Sequence, residues 1–136
     1  MKLLRWLVWG ATGIFWIICV VLTHVRELPA LPGPDYDKAR HYLGYGALAG
    51  AWYLSYWIWR PATRWIWLIV LITGAAYGAL DEITQPPFGR TCDFFDWLAD
   101  MGGTLTAVIG MSAIAFVVRR FLTPAPRELV RTSDRG

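Results

Sequence analysis

Four uncharged stretches dominate the pattern of apolar and polar positions along this 136-residue chain. Residues 6–23, 42–59 and 101–118 each hold 18 consecutive residues without a charge, and residues 65–80 hold 16. A helix that crosses a membrane needs about 20 mostly apolar residues, with a range of roughly 17 to 25. A soluble four-helix bundle would need polar outer faces, and the pattern provides none. The sequence therefore predicts an all-α polytopic membrane protein with four transmembrane helices in an antiparallel bundle.

Local signals set the limits of these helices. The predicted spans are residues 4–23, 37–59, 65–85 and 93–118, and together they form one membrane domain over residues 1–122. The third span reaches a full length only because residues 81–85 continue it toward an interface, before Pro86 and Pro87 end it. The first span is longer than the core of a signal peptide and is expected to be retained. Residues 123–136, which contain prolines and charges, are expected to form a disordered cytoplasmic tail.

Composition and charge agree with a membrane protein. The chain is 56% hydrophobic and only 17% charged, whereas charged residues make up about a quarter of a soluble domain. Cytoplasmic loops of membrane proteins carry an excess of lysine and arginine. With the N-terminus inside, nine of the thirteen cations are cytoplasmic: Lys2, Arg5, Arg60, Arg64, Arg119, Arg120, Arg127, Arg131 and Arg135. Both termini are therefore predicted to be cytoplasmic, and the net charge of +3 reflects topology rather than nucleic-acid binding.

The second span begins with a cluster of polar residues. Asp37, His41 and Tyr45 are spaced i, i+4 and i+8 and share one helical face, and Lys38 lies beside them. Charges that only reach lipid headgroups would explain Arg40 well. They explain an acid, an imidazole and a phenol in register less well, because ionisable residues at membrane depth are costly and usually functional.

A second polar cluster joins the third span to the fourth. Glu82 and Gln85 lie at the end of span three, and a neighbouring helical line joins Tyr77, Asp81 and Gln85. Periodicity alone does not decide which of these two lines faces the bundle. After the loop that carries Arg90, the fourth span places four residues on one stripe, with spacings of 3, 4 and 3: Asp93, Asp96, Asp100 and Gly103.

The predicted topology brings these clusters to the same end of the bundle. Asp37, Glu82, Asp93, Asp96 and Asp100 then face only two fixed cations, Lys38 and Arg90. Such a cluster needs a proton, a metal ion or a cationic ligand to balance it. An acid/base site and a divalent-cation site built on His41 with two or three acids are both consistent with these residues. An interhelical ion-pair network with no chemistry is the structural alternative.

The remaining polar residues of interest are assigned no site. Cys19 and Cys92 are expected to be unpaired, since nothing in the sequence brings them together. His24 is expected to be a solvated loop residue.

The ordered polar blocks resemble the VanZ-like family of small bacterial membrane proteins. The resemblance covers about residues 35–110 and consists of three blocks: Asp37-Lys38-x-x-His41-x-x-x-Tyr45; Glu82-x-x-Gln85; and Arg90-x-x-Asp93-x-x-Asp96-x-x-x-Asp100-x-x-Gly103. Position 100 is more often Asn in that family, so Asp100 adds a charge where the family pattern has an amide.

The resemblance implies a multi-pass protein of the bacterial cytoplasmic membrane with a role in the cell envelope. The family is named for a protein linked to resistance to teicoplanin, a glycopeptide that acts at the outer leaflet. The expected function is to bind or modify the headgroup of a lipid or a cell-wall precursor, with an effect on glycopeptide susceptibility. In this hypothesis His41 carries protons and Glu82 and Asp96 act as acid, base or ion ligand. The expected binding residues are Asp37, Lys38, Tyr45, Gln85, Arg90, Asp93 and Asp100.

Overall fold

The computed structural model describes residues 2–24 and 35–121 of the chain, and within these ranges it is all-helical. Helix α1 spans Lys2–His24, α2 spans Asp35–Trp59, α3 spans Ile66–Thr84 and α4 spans Phe94–Phe121. A single 3₁₀ turn, Pro86–Phe88, follows α3. The four predicted helices are therefore present, close to their predicted limits. The predicted tail, residues 123–136, lies outside the described residues.

Three of the four helices are long and apolar enough to cross a membrane. The mean hydropathy of the best 18-residue window is 2.0 in α1, 1.6 in α3 and 1.9 in α4. Large apolar side chains cover the outside of the bundle, among them Leu7, Ile14, Ile83, Ile109 and Phe116, each at least 60% exposed. Such a surface is suited to lipid rather than to water. These helices indicate a membrane protein.

Helix α2 falls short of the other three in hydropathy, although its 25 residues are long enough to span a bilayer. Its sequence is rich in glycine, tyrosine and tryptophan, and its first turns are charged. The position of the helix explains this composition. Helix α2 packs against all three other helices and contributes Leu48, Ala49 and Ser55, which are completely buried. A helix at the centre of the bundle meets protein on most sides and needs less apolar surface for lipid.

Cross-contacts fix the directions of the helices. Along α2 and α4 the contacts advance together, from Lys38–Asp93 through His41–Asp100 to Tyr53–Ser112, so these two helices are parallel. Contacts between consecutive helices run in opposite directions, as Trp6–Trp59 and Thr12–Ser55 illustrate for α1 and α2. The bundle is therefore antiparallel in chain order, as predicted. The starts of α2 and α4 and the ends of α1 and α3 meet at one end.

Helices α2 and α4 touch backbone to backbone. An ideal Cβ placed on Gly103 would overlap the carbonyl oxygen of Tyr42 and would lie 2.9 Å from the backbone nitrogen of Gly46. One placed on Gly46 would lie 3.3 Å from the carbonyl oxygen of Gly103. Small residues permit this kind of approach between membrane helices, where van der Waals packing replaces the hydrophobic effect. The crossing point lies about one turn from His41 on α2 and from Asp100 on α4.

A short connection joins α3 to α4 and carries Arg90. Gly89 ends the 3₁₀ turn in the left-handed region with φ of 78°, a conformation that glycine adopts at no steric cost. Asp93 then stands before the first residue of α4, and its Oδ1 accepts a hydrogen bond of 2.8 Å from the N–H of Phe95. This is the geometry of a helix N-cap. The Phe95 N–H, together with the Lys38 ammonium, holds the pKa of the Asp93 carboxyl below its usual value.

The crossing of α2 and α4 generates a prediction. Gly103→Ala should destabilise the folded protein by roughly 1–3 kcal/mol, because the added methyl group meets rigid backbone of α2. Gly110→Ala on the same helix is the matched control, since nothing lies within 4 Å of its ideal Cβ. Replacing a helical glycine by alanine in open space is expected to leave stability unchanged or raise it by about 0.5–1 kcal/mol. Unfolding of the two purified variants in a titration with denaturing detergent measures the difference, and equal stability of both would contradict the packing described.

Candidate functional site

Polar side chains gather at the end of the bundle where α2 and α4 begin and α3 ends. Six of them are buried, with at most 4% of their surface exposed: His41, Asp81, Glu82, Gln85, Asp96 and Asp100. Five of the six are residues that the sequence proposes for the site, and Asp81 is the addition. Two sets can be distinguished by their contacts. The buried group is His41, Asp81, Glu82, Gln85 and Asp100, and the paired group is Asp37, Lys38, Arg90, Asp93 and Asp96.

A histidine–carboxylate contact lies at the centre of the buried group. The Nδ1 atom of His41 lies 2.9 Å from Oδ1 of Asp100, within hydrogen-bond distance. The same nitrogen lies 3.9 Å from Oε1 of Glu82. His41 therefore links carboxylates from two different helices, α3 and α4, to α2. Its ring is nearly parallel to that of Tyr45, with ring centroids 6.4 Å apart.

Gln85 and a backbone amide complete the surroundings of Glu82. The amide nitrogen of Gln85 lies 3.4 Å from Oε1 of Glu82 and 3.5 Å from Oδ2 of Asp81. The backbone N–H of Asp93 donates to the other oxygen of Glu82 at 2.8 Å. Both candidate lines of α3 thus face the bundle, because the end of the helix is enclosed by α1 on one side and α4 on the other. Periodicity did not decide whether Asp81 or Glu82 faces the bundle, and the structure shows that both do.

Helix α1 also reaches the buried group, which the sequence did not predict. The Thr23 hydroxyl donates to Oδ1 of Asp81 at 2.8 Å, and Nδ1 of His24 lies 3.6 Å from the same oxygen. His24 also contacts Thr84 through Nε2 at 3.1 Å and packs edge-on against Phe88, with ring centroids 4.9 Å apart. The expectation that His24 is a solvated loop residue is therefore wrong. Its side chain is only 13% exposed and packs the end of α1 against the end of α3.

The paired group is a set of ion pairs at the more exposed edge of the site. The Lys38 ammonium lies 3.5 Å from carboxylate oxygens of both Asp93 and Asp96. Arg90 donates to Oδ2 of Asp37 at 2.8 Å. Arg40 approaches the other oxygen of Asp37 at 3.5 Å. Three carboxylates and three cations therefore lie together, which makes this part of the site close to neutral.

The buried group lacks this balance. Asp81, Glu82 and Asp100 are three carboxyl groups, and none lies within 4.0 Å of a lysine or arginine among residues 2–24 and 35–121. Among the described residues, their only basic neighbours at that distance are the imidazoles of His24 and His41, which carry charge only when protonated. Charged groups removed from water without a partner are strongly unfavourable. As far as the described residues go, protons or a bound cation would supply the charge that the buried group lacks.

Several buried polar atoms of the site have no hydrogen-bond partner in the described part of the chain. They are Oδ2 of Asp100, Oε1 of Gln85 and the hydroxyl oxygen of Tyr45. The side chains of Asp100 and Gln85 are completely buried, and Tyr45 is 2% exposed. Buried polar atoms are nearly always satisfied by protein, water or a ligand. Each of these three atoms can therefore still form a hydrogen bond with a further group.

Two sets of three side chains could hold a metal ion. In the first, His41, Asp81 and Glu82 each offer one ligand atom, and the three atoms lie within 4.8 Å of one another. In the second, Asp37, His41 and Asp96 do the same. His41 belongs to both sets, so it lies where the buried group meets the paired group.

A cleft of about 240 Å³ between α1 and α2 reaches the site from the side. Its wall includes Leu22 and Leu43, which are exposed on the surface of the bundle, and Arg40, His41 and Tyr45 at its polar part. The cleft thus connects an apolar outer surface with the edge of the buried group. A molecule with an apolar chain and a polar head matches these walls.

The structure brings together the residues that the sequence proposes for the site. His41, Glu82, Gln85 and Asp100 belong to the buried group, Asp37, Lys38, Arg90, Asp93 and Asp96 to the paired group, and Tyr45 packs on His41. Thr23 and His24 were missed, and Asp81 had been left undecided between the two lines of α3. The two cysteines are both free, with Cys19 buried and Cys92 exposed.

Comparisons with known proteins add no relative to this picture: no family model, curated protein or solved structure matches the chain. The VanZ-like resemblance therefore stays a prediction based on the residues themselves.

The contacts of Asp81 generate a second prediction. Thr23→Val removes the hydroxyl that donates to this buried carboxylate and should lower stability by about 1 kcal/mol. Thr104→Val is the matched control, because the Thr104 hydroxyl is buried without a hydrogen-bond partner in the described residues. Its replacement by an isosteric apolar side chain should be neutral or stabilising. The two variants are compared by detergent unfolding, and a greater loss in Thr104→Val would show that the hydroxyls have been assigned the wrong roles.

Proposed function

We propose that this chain is an integral protein of the bacterial cytoplasmic membrane that binds the anionic headgroup of a lipid or lipid-linked cell-wall precursor. In this proposal all four helices cross the membrane, both termini are cytoplasmic, and the polar site lies at the extracytoplasmic face. The excess of lysine and arginine at the opposite end of the bundle supports this orientation. The buried position of α2 supports the assignment of this helix as a membrane span in addition to α1, α3 and α4.

The observation that carries the proposal is the cleft between α1 and α2. It joins exposed leucines, beside which an acyl or isoprenoid chain could lie, to Arg40 and His41 at the edge of the site. Arg40 donates to the carbonyl oxygen of Leu22 at 3.2 Å, so its guanidinium is held at the mouth of this cleft. A guanidinium has five N–H donors, and the described residues engage two of those on Arg40, through Asp37 and Leu22, so the others can bind a phosphate.

The site has the groups needed to handle such a headgroup. Arg90 and Lys38 offer further positive charge at the exposed edge, while His41 lies between them and the buried carboxyls. Within the proposal, Glu82 and Asp96 either act as acid and base, with His41 transferring the proton, or they bind a cation. The VanZ-like resemblance supports a role in the envelope, and a cell-wall precursor is the ligand through which glycopeptide susceptibility would change.

A structural role for the charges is the second candidate. The pairs Lys38–Asp93, Lys38–Asp96 and Arg90–Asp37 each connect α2 with α4 or with the loop before it. Buried polar contacts between membrane helices can serve packing alone. This candidate accounts for the paired group but not for the unbalanced charge of the buried group.

The orientation of the protein is tested with its cysteines. Cys92 is exposed beside the site and Cys19 is buried, so a membrane-impermeant maleimide should label intact cells at Cys92 alone. Cys92→Ser should abolish this labelling and Cys19→Ser should not. If Cys92 reacts only after the membrane has been permeabilised, the site lies on the cytoplasmic side, and this result would contradict the proposal.

Headgroup binding is tested with arginine variants in detergent-solubilised protein. Short-chain phosphatidylglycerol and undecaprenyl phosphate serve as anionic probes, with short-chain phosphatidylcholine as the zwitterionic reference. Arg40→Gln and Arg90→Gln should each weaken binding of the anionic probes about tenfold, because each removes a charge-assisted hydrogen bond. Arg64→Gln is the matched control at the opposite, exposed end of the bundle and should bind like the wild type.

The same variants separate the two candidate functions. Unchanged affinity in Arg40→Gln and Arg90→Gln, together with lowered stability, would support a structural network and overturn the headgroup proposal. Weakened binding with unchanged stability would support the headgroup proposal.

A further inference from the structure

We propose that the buried group binds one divalent transition-metal ion, with a ring nitrogen of His41 and one carboxylate oxygen each from Asp81 and Glu82 as ligands. The inference concerns the same end of the bundle as the proposed function. The ion would hold a phosphate oxygen at an open coordination position, and this use of the ion rests on the proposed function. The binding of the ion to the protein does not rest on that function and can be measured without any lipid.

The spacing of the three ligand atoms suits an ion. They lie within 4.8 Å of one another, and two ligands that are each about 2.1 Å from the same Zn²⁺ lie about 3.4 to 4.2 Å apart. Small rotations of the side chains are enough to close this difference. The ligands come from α2 and from two adjacent positions on α3, so both helices hold the site rigidly at its base.

Charge is the second reason. The carboxylates of the other possible set, Asp37 and Asp96, already contact Arg90, Arg40 and Lys38. A metal there would compete with these cations. Asp81 and Glu82 have no lysine or arginine within 4.0 Å among the described residues, and a divalent ion supplies the charge that they lack.

The unpartnered oxygen of Gln85 points to a ligand independently of the carboxylates. Oε1 of Gln85 is buried without a partner, while its amide nitrogen lies 3.4 Å from Glu82 and 3.5 Å from Asp81. A half-turn of the amide places the oxygen on the carboxylate side, where it can serve as a fourth ligand. In a site without an ion, that oxygen would be repelled by the carboxylates.

Asp100 has the role of an orienting residue in this site. Oδ1 of Asp100 lies 2.9 Å from Nδ1 of His41. When Nδ1–H donates to this carboxylate, the lone pair of the neutral ring is on Nε2, for which no described residue is a hydrogen-bond partner. Nδ1 is also the ring nitrogen that lies 3.9 Å from Oε1 of Glu82, so binding of an ion through Nε2 requires the ring to turn toward the carboxylates of α3. Histidines that bind metals usually make this second contact to a carboxylate or carbonyl group, which fixes the tautomer.

The ligand chemistry selects the kind of ion. One imidazole with two carboxylates and an amide is a mixed nitrogen and oxygen set, which suits Zn²⁺ or Mn²⁺. Ca²⁺ and Mg²⁺ prefer sites made of oxygen alone, and copper(I) prefers sulfur.

Metal content of the full-length protein is the first test. Purified protein in detergent is stripped with a chelator, loaded with Zn²⁺ or Mn²⁺, dialysed and analysed by mass spectrometry of the metal. The wild type should retain one ion per chain. Asp81→Asn and Glu82→Gln should weaken affinity at least about 100-fold, and Asp100→Asn about 10- to 100-fold. Asp37→Asn makes the same carboxylate-to-amide change in the paired group and should retain the ion.

Electron paramagnetic resonance of the Mn²⁺-loaded protein tests the histidine. The chain contains two histidines, His24 and His41, so nitrogen coupling to the ion can be assigned with two variants. His41→Gln should abolish the coupling and His24→Gln should preserve it. Size-exclusion chromatography and circular dichroism identify any variant that has lost its fold, and the wild-type measurements stand without the variants.

Three results would overturn the inference. The first is that the wild type retains no ion above the buffer background, which would mean that protons alone neutralise the buried carboxyls. The second is that Asp37→Asn loses the ion while Asp81→Asn keeps it, which would place the ion in the other set. The third is that nitrogen coupling persists in His41→Gln. None of these results affects the headgroup measurements, which are made with separate probes and arginine variants.

Discussion

The backbone contact of α2 with α4 is the constraint on which the site depends. Gly46 and Gly103 have no side chains, so the backbones of the two helices come into direct contact there. One turn from this contact, His41 and Asp100 lie opposite each other at hydrogen-bond distance. A wider separation of the helices would break that bond and leave Asp100 buried without a hydrogen-bond partner in the described part of the chain. Packing at a pair of glycines thus determines the geometry of a charged pair.

The site combines two kinds of electrostatic environment within a few ångströms. At its exposed edge, acids and bases are matched and cross-link the helices. Below that edge, the basic neighbours that residues 2–24 and 35–121 offer to Asp81, Glu82 and Asp100 are imidazoles alone. Unbalanced charge is costly in a bundle whose other surfaces are apolar, and it therefore has to be useful or compensated. The part of the site that is hardest to explain by stability is the part best suited to bind a ligand.

Much of this architecture could be predicted from local patterns. Uncharged runs and prolines place the four helices, and the spacing of Asp93, Asp96 and Asp100 predicts the stripe on α4. The contributions of Asp81 and His24 could not be predicted in this way. Both depend on where the end of α1 meets the end of α3, which is a tertiary contact between helices distant in sequence. Two adjacent residues on α3 both face inward because different helices enclose them, and no single periodicity describes that situation.

The parallel pairing of α2 with α4 has a consequence for how the protein is made. These helices are separated in the chain by the whole of α3, so their contact cannot form while α4 is still being synthesised. Until then, His41 at the start of α2 lacks the carboxylate that later lies against it. The helix with the lowest hydropathy is thus synthesised before the partner that accommodates its polar end. The site is complete only when the last helix has been made, and a chain truncated before α4 would leave the imidazole without that carboxylate.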